Sequence, residues 1–175
     1  MEHRKLLNIE LGRMSADEYR SKASRGVVLV LDNIRSAHNI GSAFRTADAF
    51  GADMIYLCGI CATPPSPEIH KSALGAEDSV AWKHAADTLD AITELKNQGF
   101  TIVSVEQTVG SVMLDRLDLD PDAKYALVFG NEVEGVSQQV VDASDMTLEI
   151  PQWGTKHSLN VSVSVGVVLW AFRPR

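Results

Sequence analysis

Residues 27–51 read V-V-L-V-L-D-N-I-R-S-A-H-N-I-G-S-A-F-R-T-A-D-A-F-G, and this stretch decides the fold. Val27 to Leu31 is an unbroken apolar run. Strands of parallel sheets are covered on both faces and lose the polar alternation of half-exposed strands, so the run predicts a buried parallel strand. Asp32 and Asn33 end it. Ile40, Phe44 and Ala47 then recur at helical spacing, with Asn39 as the expected N-cap and Gly51 as the stop.

The strand, loop and helix pattern continues outward. Met54 to Cys58, Thr101 to Val105, Tyr125 to Phe129 and Met146 to Ile150 read as further strands. Thr88 to Gln98 reads as a helix with Leu89, Ile92 and Leu95 on one face and Gly99 as its stop, and Ser137 to Ala143 as a short one. Ser158 to Trp170 closes the chain as a Val-rich helix whose weak propensity requires support from packing, and Ser162, Ser164 and Gly166 would allow a close backbone approach. The expectation is an α/β protein with a mostly parallel sheet flanked by helices, joined by right-handed crossovers, its ligand site beyond the carboxyl ends of the strands. Residues 26–175 form the expected domain, and residues 1–25 a short polar, base-rich segment that includes Arg4, Lys5, Arg13, Arg20, Lys22 and Arg25.

At 175 residues and 45% hydrophobic composition, one core accounts for the chain. No apolar stretch reaches the roughly 20 residues of a membrane span, and the first residues lack the apolar core of a secretory signal, so a cytoplasmic protein without membrane association is expected. Cys58 and Cys61 form C-G-I-C, but no second ligand pair follows for a metal, and Thr63-Pro64-Pro65-Ser66-Pro67 reads as a loop where a redox motif would open a helix. They read as two thiols at a strand end, with no metal site. The net charge of -7 speaks against a nucleic-acid partner until its distribution is considered. Residues 51–150 hold 17 acids against 5 bases, whereas residues 1–50 hold 8 bases against 6 acids and residues 151–175 hold 3 bases and no acid. A fold that brings both ends to one face would make that face basic.

Three loops at strand ends carry the polar side chains. Asp32 to Arg45 lacks the G-x-G-x-x-G of a dinucleotide fold but offers Asn39 and Arg45 near an expected helix start, where anions are favoured; a plain surface arginine with an Asn cap is the alternative. Phe129-Gly130-Asn131-Glu132-Val133-Glu134-Gly135 follows a buried strand, with Gly130 allowing a ligand close to the backbone; Val136-Ser137 stands where a P-loop needs its lysine. Ile150 to Asn160 contains His157, read as a loop residue, and Ser158, which lacks the setting of a hydrolase nucleophile.

Taken together, N-I-G-S-A-F-R-T-A-D-A-F-G at 39–51, L-V-F-G-N-E-V-E-G-V-S at 127–137, and I-P with H-S-L-N-V-S-V-S within 150–164 resemble the SpoU-type (TrmH-like) RNA 2'-O-methyltransferases of the SPOUT superfamily. The resemblance covers about residues 27–172. It implies a C-terminal trefoil knot, a homodimer with an active site drawing on both subunits, and S-adenosyl-L-methionine as cofactor. It carries catalytic roles over to Asn39, Arg45, Glu132, Ser158 and Asn160, and cofactor binding to Val105 with Glu106, Gly130, Asn131, Ile150 and Leu159. It implies an RNA partner; for so small a chain, transfer RNA is favoured over ribosomal RNA, recognised with the help of the N-terminal segment, the dimer surface, Lys156, Arg173 and Arg175. Two alternatives stay open: a non-catalytic donor- or RNA-binding module, and a methyltransferase for a small ribose-containing molecule.

Overall fold

The computed structural model describes residues 3–172; Arg173 and Arg175 lie outside the described residues. Seven strands form one sheet: β1 (Val27–Asp32), β2 (Met54–Cys58), β3 (Ala81–Ala85), β4 (Phe100–Val105), β5 (Val112–Met113), β6 (Lys124–Phe129) and β7 (Met146–Glu149). Their order is β3-β2-β1-β6-β4-β7-β5, and every pairing is parallel. The run at 27–31 is therefore the buried parallel strand it reads as, in register with Met54 to Leu57 on one side and Tyr125 to Phe129 on the other.

Alternate residues of each strand feed two cores. Leu29, Leu31, Ile55, Leu57, Val103, Leu127 and Phe129 point to one face. It is covered by α2 (Ala37–Phe50), α7 (Val161–Ala171), α3 (Pro67–Ala73) and the short α1 (Ala16–Ser21) and α4 (Ala76–Ser79). Val28, Val30, Tyr56, Cys58, Ile102, Ala126 and Val128 point to the other, under α5 (Thr88–Asn97) and α6 (Gln138–Ala143). Residues with no polar face on either side can be satisfied only between two helical layers.

Three local readings are corrected. Helix α2 begins at Ala37, capped by Ser36, whose hydroxyl accepts the Asn39 N–H at 3.2 Å; Asn39 lies inside the first turn and is buried. A serine three residues upstream reaches the free N–H better than Asn39 could from within the turn. Helix α7 begins at Val161 rather than Ser158, with Asn160 as its cap. The loop expected at 63–67 holds through Ser66, and only its last residue changes, Pro67 taking the first helical position of α3 with Ser66 as its cap, a signal the sequence carried. Strands β3 and β5 went unread because Ala81–Ala85 is an almost wholly exposed edge strand and β5 has two residues.

The tight backbone contact is in α2, not α7. A Cβ on Gly41 would meet Ser72 Oγ at 2.1 Å and the Ile69 carbonyl at 2.3 Å, whereas one on Gly166 meets only Thr46 Cγ2, at 3.8 Å. Gly41 is the residue that lets α3 rest on α2. Gly41→Ala should cost about 1–3 kcal/mol by overpacking, while Gly166→Ala should leave stability unchanged or raised by helix propensity; thermal unfolding of both variants checks the contrast.

Both cysteines are buried and unbridged. The Ile34 N–H donates to Cys61 Sγ at 3.2 Å, and the Cys61 thiol lies 3.3 Å from the Leu31 carbonyl. Burial pushes the Cys58 thiol up to about 12 and the Cys61 thiol up to about 11. Among the described residues no cluster could hold a metal ion. At pH 8 a disulfide exchange reagent should titrate neither thiol in the folded protein and both in denaturant; rapid native reaction would show an exposed thiolate instead.

Candidate functional site

The carboxyl ends of β4, β6 and β7 open into a cavity of about 500 Å³. Its floor is apolar, from Val105, Phe129, Leu148 and Ile150. The Gly130–Gly135 turn makes one wall and the 150–160 loop the other. Cavities of this size at the carboxyl edge of a parallel sheet hold small ligands.

The first wall is a loop closed on itself. Asn131 and Gly135 exchange backbone hydrogen bonds, both at 3.1 Å, and the Asn131 side chain accepts the N–H groups of Val133 and Glu134. A Cβ on Gly130 would lie 1.9 Å from the Gly135 carbonyl carbon. The turn itself therefore demands a glycine at this position, which also lines the cavity. Glu106 braces the turn from β4, accepting the Val136 N–H at 2.9 Å. Buried Asp32 braces it from β1, accepting the Ser137 N–H at 3.2 Å and the Thr88 hydroxyl at 2.6 Å.

Glu132 joins this wall to the first loop. One carboxylate oxygen accepts from Asn39 Nδ2 at 2.9 Å and the Ser36 N–H at 3.1 Å, and the other from the Arg35 N–H at 3.1 Å. Partial burial opposes ionisation of Glu132, but the donors from Asn39, Arg35 and Ser36 outweigh it and hold the carboxyl below its usual range. Asn39 then passes the link on, its Oδ1 accepting from Asn160 Nδ2 at 3.2 Å. Asn160 Oδ1 caps α7 through the Ser162 N–H at 2.9 Å. Glu132, Asn39 and Asn160 therefore form one chain of hydrogen bonds across residues 93 and 121 positions apart.

The expected residues sort as follows. Val105, Gly130, Asn131, Ile150 and Leu159 all line the cavity, as do Glu106, Glu132, Ser158 and Asn160. Asn39 reaches it through Glu132 and Asn160. Arg45 is not brought in: it does not line the cavity, and its side chain is exposed with no partner among the described residues. Its supposed position near a helix N-terminus also fails. It is the ninth residue of α2, roughly 12 Å along the axis from the first at 1.5 Å per residue, where the end effect has faded.

Gln107 was missed by sequence reading. It lines the cavity and its carboxamide donates to the His157 carbonyl at 2.8 Å, tying the chain after β4 to the 150–160 loop. No motif announces such a residue, because its partner is a backbone atom 50 residues away. The charge balance also changes in three dimensions. Helix α2 packs on α7, but α7 carries no charged residue and Arg173 and Arg175 lie outside the described residues. Arg4 pairs with Glu10, Arg20 with Asp17 and Lys22 with Asp53, so much of the N-terminal charge is spent locally.

A parallel sheet with a braced polar cavity at its carboxyl edge defines an α/β ligand-binding domain of the open-sheet class. The model of the SpoU rRNA Methylase family matches residues 26–170, and the chain belongs to that family. It is 31% identical over 154 residues to the tRNA (guanosine(18)-2'-O)-methyltransferase of Aquifex aeolicus, covering 87% of this chain and 71% of that protein. It is 31% identical over 159 residues to a Staphylococcus aureus protein assigned to the TrmH family of tRNA/rRNA methyltransferases, covering 90% of this chain and 63% of that one. Among solved structures, the A. aeolicus TrmH/SpoU tRNA modifying enzyme superposes with a TM-score of 0.78 at 29% identity, over 90% of this chain and 78% of that chain. An AdoMet-bound rRNA methyltransferase from Sinorhizobium meliloti does so at 0.79 and 28%, over 88% and 59%. The chain thus spans less than two thirds of the length of the Staphylococcus relative and the Sinorhizobium structure.

Glu132→Gln should remove the anion on which three donors converge, at a cost of about 1 kcal/mol once solvent exposure is allowed for. The folded carboxyl lies below its unfolded value of about 4.3, so its contribution is complete above that pH and lost as pH falls through the folded value. Unfolding of the variant and parent should therefore differ at pH 7 and converge as acidification protonates the Glu132 carboxyl.

Proposed function

We propose that this chain transfers a methyl group from S-adenosyl-L-methionine to a ribose 2'-hydroxyl of a structured RNA, transfer RNA before ribosomal RNA, in the cytoplasm. The observation that carries the reading is the chain of hydrogen bonds from Glu132 through Asn39 to Asn160 beside the cavity, in a member of the SpoU family. The A. aeolicus relative, by its name, methylates a ribose 2'-oxygen in tRNA.

The cavity fits the donor. An adenosyl group needs an apolar slot for its base and backbone groups along its edge. Val105, Leu148 and Ile150 supply the slot, and among the described residues no backbone N–H between 152 and 159 donates to the protein. Ser158 and Leu159 on that loop, with Gly130 and Asn131 opposite, would hold the donor. When bound, S-adenosyl-L-methionine supplies a methyl group on a sulfonium, open to in-line attack.

The protein's task is then to position the acceptor oxygen and accommodate its proton. Glu132 is a poor proton acceptor, since its oxygens already receive three hydrogen bonds. Its role is to hold Asn39 and the 35–36 backbone. A guanidinium with pKa above about 12 is no base either. Arg45 grips a phosphate beside the target ribose and stabilises developing alkoxide, with the substrate phosphate accepting the proton.

Because Arg45 stands outside its own protomer's cavity, this mechanism requires a second copy to bring it there. The outer surface of α7 suits such a contact: Val163 and Val167, one turn apart, are 50% and 37% exposed, while Val165, Val168 and Leu169 are buried inside. A helix apolar all round calls for a partner on its open side. The chain path supports the knot as well. Strand β7 lies between β4 and β5, and the β4–β5 connection crosses its carboxyl end, where the Glu106 N–H meets the Leu148 carbonyl at 3.0 Å. The segment leaving β7 is tied to that connection by Gln107 on the His157 carbonyl.

Incubation with methyl-labelled donor and total tRNA, then nuclease digestion, should yield label in an RNase-resistant 2'-O-methylated dinucleotide. Arg45→Ala should lower turnover by about 100-fold or more with donor affinity intact by calorimetry; equal loss of donor binding refutes its role. Sedimentation should give twice the 19.0 kDa chain mass, and Val167→Glu should reduce mass and activity together.

A further inference from the structure

Trp153 is 90% exposed on the 150–160 loop. Tryptophan is highly buried on average, and a fully wetted indole forgoes more apolar burial than any other side chain could. Its neighbours supply no cover, since residues 152–160 are all exposed. Its position is specific: Gln152, on one side in sequence, and His157 and Ser158, a few residues on, line the cavity mouth.

The charges around the mouth are divided. Lys156 lies on the same loop, and no acid occurs from Pro151 to the chain end. Arg35 stands at the rim, its backbone N–H on Glu132 and its exposed side chain without a partner among the described residues. Glu132 and Glu134 occupy the opposite wall. A polyanion reaching the 150–160 loop meets Lys156 three positions from the indole, while Arg35 stands beside Glu132 on the other wall. Exposed aromatic rings beside cations are the means by which proteins hold unpaired bases, because every base has a stacking face.

We propose that Trp153 is a stacking platform for an unpaired nucleobase neighbouring the ribose in the cavity, with Lys156 and Arg35 on the flanking phosphates. The proposal rests on the RNA reading above and adds a residue that sets substrate choice. The platform selects RNA whose target ribose lies in a loop or at a disrupted pair, since a base inside a continuous duplex offers no free face. It gives an acidic chain affinity that does not depend on charge alone.

The test is equilibrium binding of a fluorescently end-labelled total tRNA fraction, prepared from a strain lacking this gene, to the full chain. Trp153→Ala should weaken binding about tenfold or more, the scale of one lost base stack. Trp153→Phe, which keeps a ring, should recover most of it. Donor affinity by calorimetry and solution mass by sedimentation should match the parent in both variants. Unchanged tRNA binding by Trp153→Ala overturns the proposal. So does an equal loss in Trp153→Phe, and so does a change in donor affinity or mass, which would assign the indole to the cavity or to a second copy. Parent protein that binds tRNA without transferring label would defeat the methyl-transfer reading alone, because the Trp153 comparison needs only binding.

Discussion

The Glu132 carboxylate is the interaction on which the site depends. It collects the Arg35 and Ser36 N–H groups and the Asn39 carboxamide, and so fastens the turn after β6 to the loop that opens α2. Asn39 extends the tie to Asn160 at the start of α7. An ionised acceptor is suited to this duty because hydrogen bonds to a charged group are stronger than neutral ones and three donors use most of its capacity. Three segments without contact in sequence become one rigid wall.

A second carboxylate does the same from beneath. Buried Asp32 binds Thr88 at the start of α5 and the Ser137 backbone after the glycine turn, while Glu106 holds Val136 from β4. The turn between Gly130 and Gly135 is thus gripped from both sides of the sheet. Polar groups at the carboxyl ends of parallel strands have no further strand to pair with, and carboxylates from neighbouring strands satisfy them. The consequence for function is a preformed wall opposite a loop with little internal hydrogen bonding. Ligand binding there can order the 150–160 segment without disturbing its frame.

Preorganisation also explains why the conspicuous arginine stands apart. The carboxylates of Glu132 and Glu106 are committed to the wall, and the exposed side chains Arg35, Arg45, Trp153 and Lys156 are left to meet whatever arrives. Local pairing of Arg4, Arg20 and Lys22 with nearby acids removes the N-terminal bases from that role. An acidic chain can in this way present an uncommitted cationic fringe where its polyanionic partner would enter.

The sequence by itself determined the parallel sheet, because an all-apolar run such as Val27 to Leu31 has no other stable surroundings than two covering layers. Its resemblance to the SpoU-type motifs also marked the lining positions Val105, Gly130, Asn131, Ile150 and Leu159. It could not show that Ser36 rather than Asn39 caps α2, that Gly130 serves its own turn, or that Arg45 stays outside the cavity. Nor could it find Gln107 or the edge strand Ala81–Ala85. Those outcomes belong to the tertiary structure, because each is settled by atoms tens of residues away whose distances no periodicity encodes.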